Sequence, residues 1–297
     1  AVLTQDQQLV CRHSECDLHR TTNVLQTELA GQCSKPFQPW QTNNRATAKC
    51  CTSDFTLDQI KRLCGRADHV NERAVSVDDY LLPKERGAYS FEGDCGTLVS
   101  HKESIKLISE AGRKFIPELK GVGRSTLKKM GLSLSEYASL LLEDYTSLGI
   151  DPARVFPQSF SLEIIVHWLE NHPDYRERLV FLDGRGRSPE FKASLEDMHR
   201  LRSKGLRILA PPIPMLLEAN ASGALNRTDY ARYAEAAGFD LITWTFESRL
   251  SVLRNFSVLP ADMLKVLEAL HNKVKVKGVF SDWPETVTAY ANCFGLE

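Results

Sequence analysis

The sequence predicts a parallel α/β protein, either a wound sheet or a barrel of strand–helix units. Three observations lead there. From residue 101 onward, amphipathic stretches alternate with short apolar runs of the kind that form strands buried on both faces. The chain has 297 residues, 42% hydrophobic and 25% charged, a size at which α/β barrels run as a single unit. Several apolar runs end in polar or aromatic residues, and in a barrel of eight strands the chemistry sits at those carboxyl ends.

Taken in order, residues 17–97 are polar and rich in turn residues and cysteine. Their one clear helix is the stretch Thr56–Leu63, capped by Thr56 or Asp54. This region reads as an insertion. After it, the predicted strands are Phe115–Leu119, Arg154–Phe160, Leu179–Asp183, Leu206–Ala210, Asp240–Phe246 and Gly278–Ser281. Helices are predicted near 101–111, 133–148, 161–171, 190–204, 226–237, 260–272 and 284–293. Such serial strand–helix units imply a parallel sheet with right-handed crossovers. No short-period repeat, heptad run or low-complexity tract interrupts them.

The net charge of -1 gives no bulk reason to bind nucleic acid or an anionic membrane, and no basic stripe interleaved with aromatics is present. No apolar run approaches the roughly 18 residues of a membrane span, so no transmembrane segment is expected. The first residues are not a signal peptide, and an export signal is expected to have been removed.

The eight cysteines are uneven: Cys11, Cys16, Cys33, Cys50, Cys51, Cys64 and Cys95 crowd the first third, and Cys293 stands alone beyond it. That density predicts disulfides and an oxidising location, secreted, extracellular or periplasmic. The odd one out pairs with Cys293, with a residue outside this sequence, or with nothing. Adjacent Cys50 and Cys51 should reach separate partners, because a bridge between neighbours strains the peptide. Cys11, His13, Cys16 and His19 also supply four zinc-type ligands, at a spacing that fits no common module. Asn220, Asn226 and Asn255 open Asn-x-Ser/Thr triplets that could carry glycans.

The segment Lys114-Phe115-Ile116-Pro117-Glu118-Leu119-Lys120 carries the sharpest functional signal. Residues two apart on a strand share a face, so Glu118 and Lys120 can address one site, the first a metal and the second a phosphate. The plainer reading is a surface acid and base closing a strand. Further runs end in Phe156-Pro157-Gln158-Ser159-Phe160 and Thr243-Trp244-Thr245-Phe246-Glu247. Gln158 could equally be a satisfied structural amide, and Trp244 a core aromatic.

Together these segments resemble the glycerophosphodiester phosphodiesterases. The resemblance rests on Gln8-Leu9-Val10-Cys11-Arg12-His13, Asp17-Leu18-His19-Arg20-Thr21-Thr22-Asn23, Phe115-Ile116-Pro117-Glu118-Leu119-Lys120, Pro157-Gln158-Ser159-Phe160, Trp244-Thr245 and Gly278-Val279-Phe280-Ser281-Asp282-Trp283-Pro284, in family order. The stretch Ala48-Lys49-Cys50-Cys51-Thr52-Ser53-Asp54 resembles the insertion of secreted and periplasmic-type members. The fold this implies is a TIM (β/α)8 barrel. Residues 1–16 would hold the end of the second strand and a histidine loop, 17–97 the Cys-rich insertion, and 98–297 the remaining units.

The implied reaction is metal-assisted hydrolysis of a glycerophosphodiester, a small-molecule substrate, to glycerol 3-phosphate and an alcohol. By the resemblance His13 is a catalytic acid or base, Glu118 a ligand of a divalent cation, Ca²⁺ or Mg²⁺, and Lys120 a partner of the phosphate. Gln158 is placed with the substrate, and Trp244 as a wall of its glycerol or alcohol pocket.

The sequence also departs from the family. Its His-Arg-Gly, Pro-Glu-Asn and Glu-x-Asp motifs do not precede Ala1. The expectation is an amino-terminal segment of the same polypeptide, outside these residues, that supplies two strands and further catalytic and metal-binding groups and is needed for activity. Glu247 and Arg249 are not adjacent, as the family pattern would have them, which leaves their roles open. A non-catalytic relative that binds glycerophosphoryl or lipid head groups, or a barrel fragment, is the alternative function.

Overall fold

The computed structural model describes residues 1–82, 95–249 and 260–296. The chain divides into two compact units, Ala1–Val155 and Phe156–Glu297.

The first unit opens with an antiparallel hairpin of β1 (Val2–Leu3) and β2 (Leu9–Val10), in register Val2 to Val10 and Leu3 to Leu9. The Thr4 hydroxyl sets its turn, donating to the Asp6 carboxylate at 2.6 Å and accepting the Gln8 N–H at 3.0 Å. Gln7 takes the left-handed conformation there, at φ 59°. The buried hairpin side chains Val2 and Val10 belong to the same hydrophobic cluster as Leu18, Phe55, Ile60 and Tyr80 of the Cys-rich stretch. A second antiparallel pair, β3 (Lys35–Gln38) with β4 (Thr47–Lys49), lies within that stretch.

Disulfides Cys16–Cys51, Cys33–Cys50 and Cys64–Cys95 close loops through it. Cys50 and Cys51 thus diverge, as their adjacency demands. The pairing removes the zinc reading, because the Cys16 sulfur is bonded to Cys51 and the buried His19 ring turns Nδ1 toward the Cys50 N–H at 3.4 Å. Cys11 is the odd residue of the cluster, and it and Cys293 are free thiols among the described residues.

Helices His101–Glu110 and Leu134–Ser147 begin with Ser100–Glu103 and Ser133–Glu136 capping boxes. Between these helices His101 gives Nδ1 to Asp144 at 2.9 Å and packs edge-on against Tyr145. Its Nε2 is buried without a hydrogen-bond partner among the described residues. The helix Arg124–Lys129 has no counterpart in the sequence expectations.

The expected strand Phe115–Leu119 shrinks to single bridged residues, Phe115, which pairs in parallel with Val155, and Glu118. Pro117 has no N–H to continue a ladder.

In the second unit β5 (Gln158–Ser159), β6 (Val180–Leu182), β7 (Ile208–Ala210), β10 (Asp240–Thr243) and β11 (Gly278–Val279) form a parallel sheet in the order β11-β10-β7-β6-β5. The order follows the chain, as serial strand–helix units require, and the α/β class is the predicted one. Registers such as Val180 to Ile208 and Leu182 to Ala210 put these four side chains on one face, where they cluster with Trp244, Phe156, Ile242 and Phe280. Phe181, Leu209 and Leu241 are buried on the other face.

Each strand is shorter than its apolar run. For Arg154–Phe160, Pro157 again withholds the donor, and residues Pro152–Arg154 turn as a 3₁₀ helix. The helices Leu162–Asn171, Leu195–Ser203 and Asp229–Ala236 start at Ser161, Ser194 and Thr228, whose hydroxyls accept backbone N–H groups. Pro260–Ala269 continues into a π turn, Leu270–Val274, and Pro284–Cys293 follows β11.

Between β7 and β10 lies an antiparallel hairpin, β8 (Leu217–Ala219) with β9 (Leu225–Arg227), that the sequence reading did not anticipate. The Asn220 side-chain Oδ1 holds its turn by accepting the N–H groups of Ser222 and Ala224 and the Ser222 hydroxyl. Asn220 and Asn226 are exposed, and Asn255 lies outside the described residues. No helix among the described residues is long and apolar enough to cross a membrane.

Candidate active site

Beyond Pro117 the chain runs beside β1, where the Lys120 N–H donates to the Ala1 carbonyl at 3.1 Å. This places Glu118 and Lys120 side by side, with Nζ to Oε2 at 2.6 Å and both side chains more than four-fifths buried. Tyr137 lies behind them, its hydroxyl donating to the Lys120 carbonyl at 2.9 Å. Burial, and then the charges of Glu15 and Glu118, push the Tyr137 phenol up, so it remains a donor. Two carboxylates therefore act on one phenol. Glu15 was not singled out from the sequence, yet its Oε2 accepts the Gly123 N–H at 3.3 Å and joins the loop after β2 to the one after Lys120.

That same loop carries His13. Buried Asp17 shapes it, accepting from Arg12 Nε at 3.2 Å and from the Ser14 N–H at 3.1 Å on either side of the histidine. His13 itself is exposed, and no hydrogen bond or ion pair engages its ring among the described residues. The loop is thus held through Arg12 and the Ser14 N–H, and the imidazole nitrogens are left open among the described residues.

In the second unit, Gln158 is buried on β5, and Trp244 follows β10. The indole Nε1 donates to the Ala210 carbonyl at 2.6 Å, which fixes the ring. Phe160, just past β5, meets that indole edge to face at 5.4 Å. The loop after β6 begins at Asp183, which is fully buried and bound by both arms of Arg185, Nε–Oδ1 at 2.8 Å and Nη2–Oδ2 at 2.7 Å, and by the Tyr230 hydroxyl at 2.8 Å. Arg185 also reaches Asp197 at 2.6 Å. Burial opposes its charge, but the hydrogen bonds and charges of Asp183 and Asp197 prevail and raise its pKa.

Glu247, left open by the sequence, has a structural role. Its carboxylate accepts the Asp282 N–H at 2.9 Å, the Trp283 N–H at 3.2 Å and the Ser281 hydroxyl. The Phe280–Trp283 turn after β11 is thereby clipped to the end of β10. The Arg249 side chain lies outside the described residues.

A curated protein of Arthroderma benhamiae, described as "Extracellular protein", is 37% identical over 246 residues, which are 77% of this chain and 100% of that protein. The chain belongs to the family of this fungal extracellular protein. With three disulfides, it is a secreted protein. No family model matches the chain.

Solved structures define the fold. One from Silicibacter pomeroyi, assigned as a glycerophosphoryl diester phosphodiesterase, aligns over 99% of this chain and 82% of its own, with a TM-score of 0.64 at 17% identity. An Oleispira antarctica phosphodiesterase in complex with the product sn-glycerol-3-phosphate aligns over 98% and 82%, with a TM-score of 0.56 at 16% identity. The fold is that of the glycerophosphodiester phosphodiesterases, an α/β barrel class.

Proposed function

We propose that the protein hydrolyses glycerophosphodiesters to glycerol 3-phosphate and an alcohol with the help of a divalent cation, Ca²⁺ or Mg²⁺. The observation that carries this reading is the Glu118–Lys120 pair, an acid and a base sharing one largely buried spot on a phosphodiesterase fold. Each charge has a natural exchange partner in the substrate complex, a cation for the carboxylate and a phosphate oxygen for the ammonium.

The described residues gather no group of three or more His, Cys, Asp or Glu side chains suited to a metal. Glu118 is the carboxylate that would hold the cation, Ca²⁺ or Mg²⁺, both of which take oxygen ligands. When bound, such a cation supplies Lewis-acid stabilisation of charge on the phosphoryl oxygens. His13 moves the proton, Lys120 offsets phosphate charge, and Gln158 and Trp244 contact the substrate. The test is release of glycerol 3-phosphate from glycerophosphodiesters, with and without chelator. Absence of release by the polypeptide carrying its expected amino-terminal segment, under saturating Ca²⁺ and Mg²⁺, would overturn it.

A further inference from the structure

Arg187 occupies a place no sequence motif marked. Its guanidinium carbon lies 5.1 Å from the Phe160 ring centroid and 5.3 Å from that of Trp244, so one cation covers two aromatic faces. Arg187 is exposed, and no carboxylate pairs with it among the described residues. The nearby acid that could do so, Asp183, is committed to Arg185 and Tyr230. The loop is also built tightly. A Cβ on Gly184 would come within 3.2 Å of the Phe160 ring, and one on Gly186 within 2.5 Å of Met215 Sδ. Phe160, Arg187 and Trp244 follow the carboxyl ends of β5, β6 and β10, the end of a parallel sheet at which ligands bind.

Two aromatic faces at this end are the chemistry that attracts a quaternary ammonium. Here the Arg187 guanidinium already covers them. We propose that Arg187 is a specificity-determining residue, which bars cationic alcohol moieties such as choline from Phe160 and Trp244 and favours diesters whose alcohol is uncharged or anionic. This inference rests on the proposed hydrolase activity for its kinetic form only.

The experiment compares kcat/KM for glycerophosphocholine and glycerophosphoinositol in the wild type, Arg187→Gln and Arg187→Lys. The wild type should prefer the inositol diester. Arg187→Gln should shift the ratio toward the choline diester by roughly 2- to 30-fold, the range that a cation over an aromatic face is worth. Arg187→Lys, which keeps the charge, should retain most of the preference. An unchanged ratio in Arg187→Gln overturns the proposal.

A second readout does not need turnover. Choline is titrated against the Trp244 indole resonance of the folded protein, with Trp244→Phe used to assign it. The wild type should show no response, and Arg187→Gln a saturable one. If neither diester is hydrolysed, the activity reading fails while this titration still decides the role of Arg187, and absence of a gained response overturns it.

Discussion

Glu118 and Lys120 neutralise each other across 2.6 Å in surroundings that leave less than a fifth of either side chain exposed. In the proposed reaction a cation replaces Lys120 beside Glu118 and a phosphate replaces Glu118 beside Lys120, so no charge is left unmatched. Glu118→Gln keeps the shape and removes the charge. It should lower divalent-dependent turnover by about 10²–10³-fold, the usual cost of losing one electrostatic stabiliser. The fold should survive at a lowered melting temperature, because Lys120 is left largely buried without its carboxylate. Turnover equal to wild type in saturating Ca²⁺ and Mg²⁺ would remove Glu118 from the reaction.

His13 tests the other half of the site. Because Asp17 fixes the loop through Arg12 and the Ser14 amide, and not through the imidazole, His13→Asn should leave the fold intact. Loss of a proton-transfer group predicts a fall in kcat of about 10²–10⁴-fold. Glycerol 3-phosphate release and thermal unfolding, measured on the same preparation, check both halves of the expectation. A variant that loses stability in step with activity would make His13 a structural residue.

How much of this was legible in the sequence follows from the range of each interaction. The Ser-x-x-Glu boxes at Ser100 and Ser133 are local, and the helices they start were readable from spacing alone. Strand lengths were overestimated where Pro117 and Pro157 remove donors, a local cue that the apolar run outweighed. The β8–β9 hairpin was missed although Asn220 and Gly223 are ordinary turn residues, because its strands are only three residues each. Glu118 and Lys120 were visible as neighbours two apart. Glu15 and Arg187 were not, and Glu247 was visible without a role, since each acquires its meaning from loops that only the topology brings together.

The disulfides give a chemical check of the first unit. Peptide mapping without reduction should recover Cys16–Cys51, Cys33–Cys50 and Cys64–Cys95, with Cys11 and Cys293 as thiols. Replacing Cys33 and Cys50 together by alanine frees a loop with a sequence separation of 17, worth about 3 kcal/mol in the chain-entropy account. Denaturant unfolding of the double variant measures the loss. Unchanged stability would show that packing of the Val2–Tyr80 cluster suffices without this bridge.

Two buried histidines predict how stability responds to acid. Burial is the chief reason that His19 and His101 both have lowered pKa values; Arg20 also lowers that of His19, and the hydrogen bond to Asp144 only partly opposes burial at His101. At His101 the geometry agrees. A neutral ring can donate from Nδ1 to Asp144, whereas protonation would add an N–H at Nε2, which is buried without a partner. The unfolded chain protonates near the ordinary histidine value of about 6.5 while the folded ring stays neutral to lower pH. The contribution of these two histidines is therefore constant above that value and declines as pH falls below it toward the folded pKa, by at most about 1.4 kcal/mol per pH unit for each histidine. Carboxylates act lower. Glu103, lowered to about 2 by Lys61 and the Ser100 amide, contributes stability that is present above its unfolded value and is lost only as pH falls from there toward 2. Urea unfolding between pH 7 and 5 should show the decline, and His19→Gln with His101→Gln should flatten it. A decline that persists in the double variant would place the proton uptake on other groups.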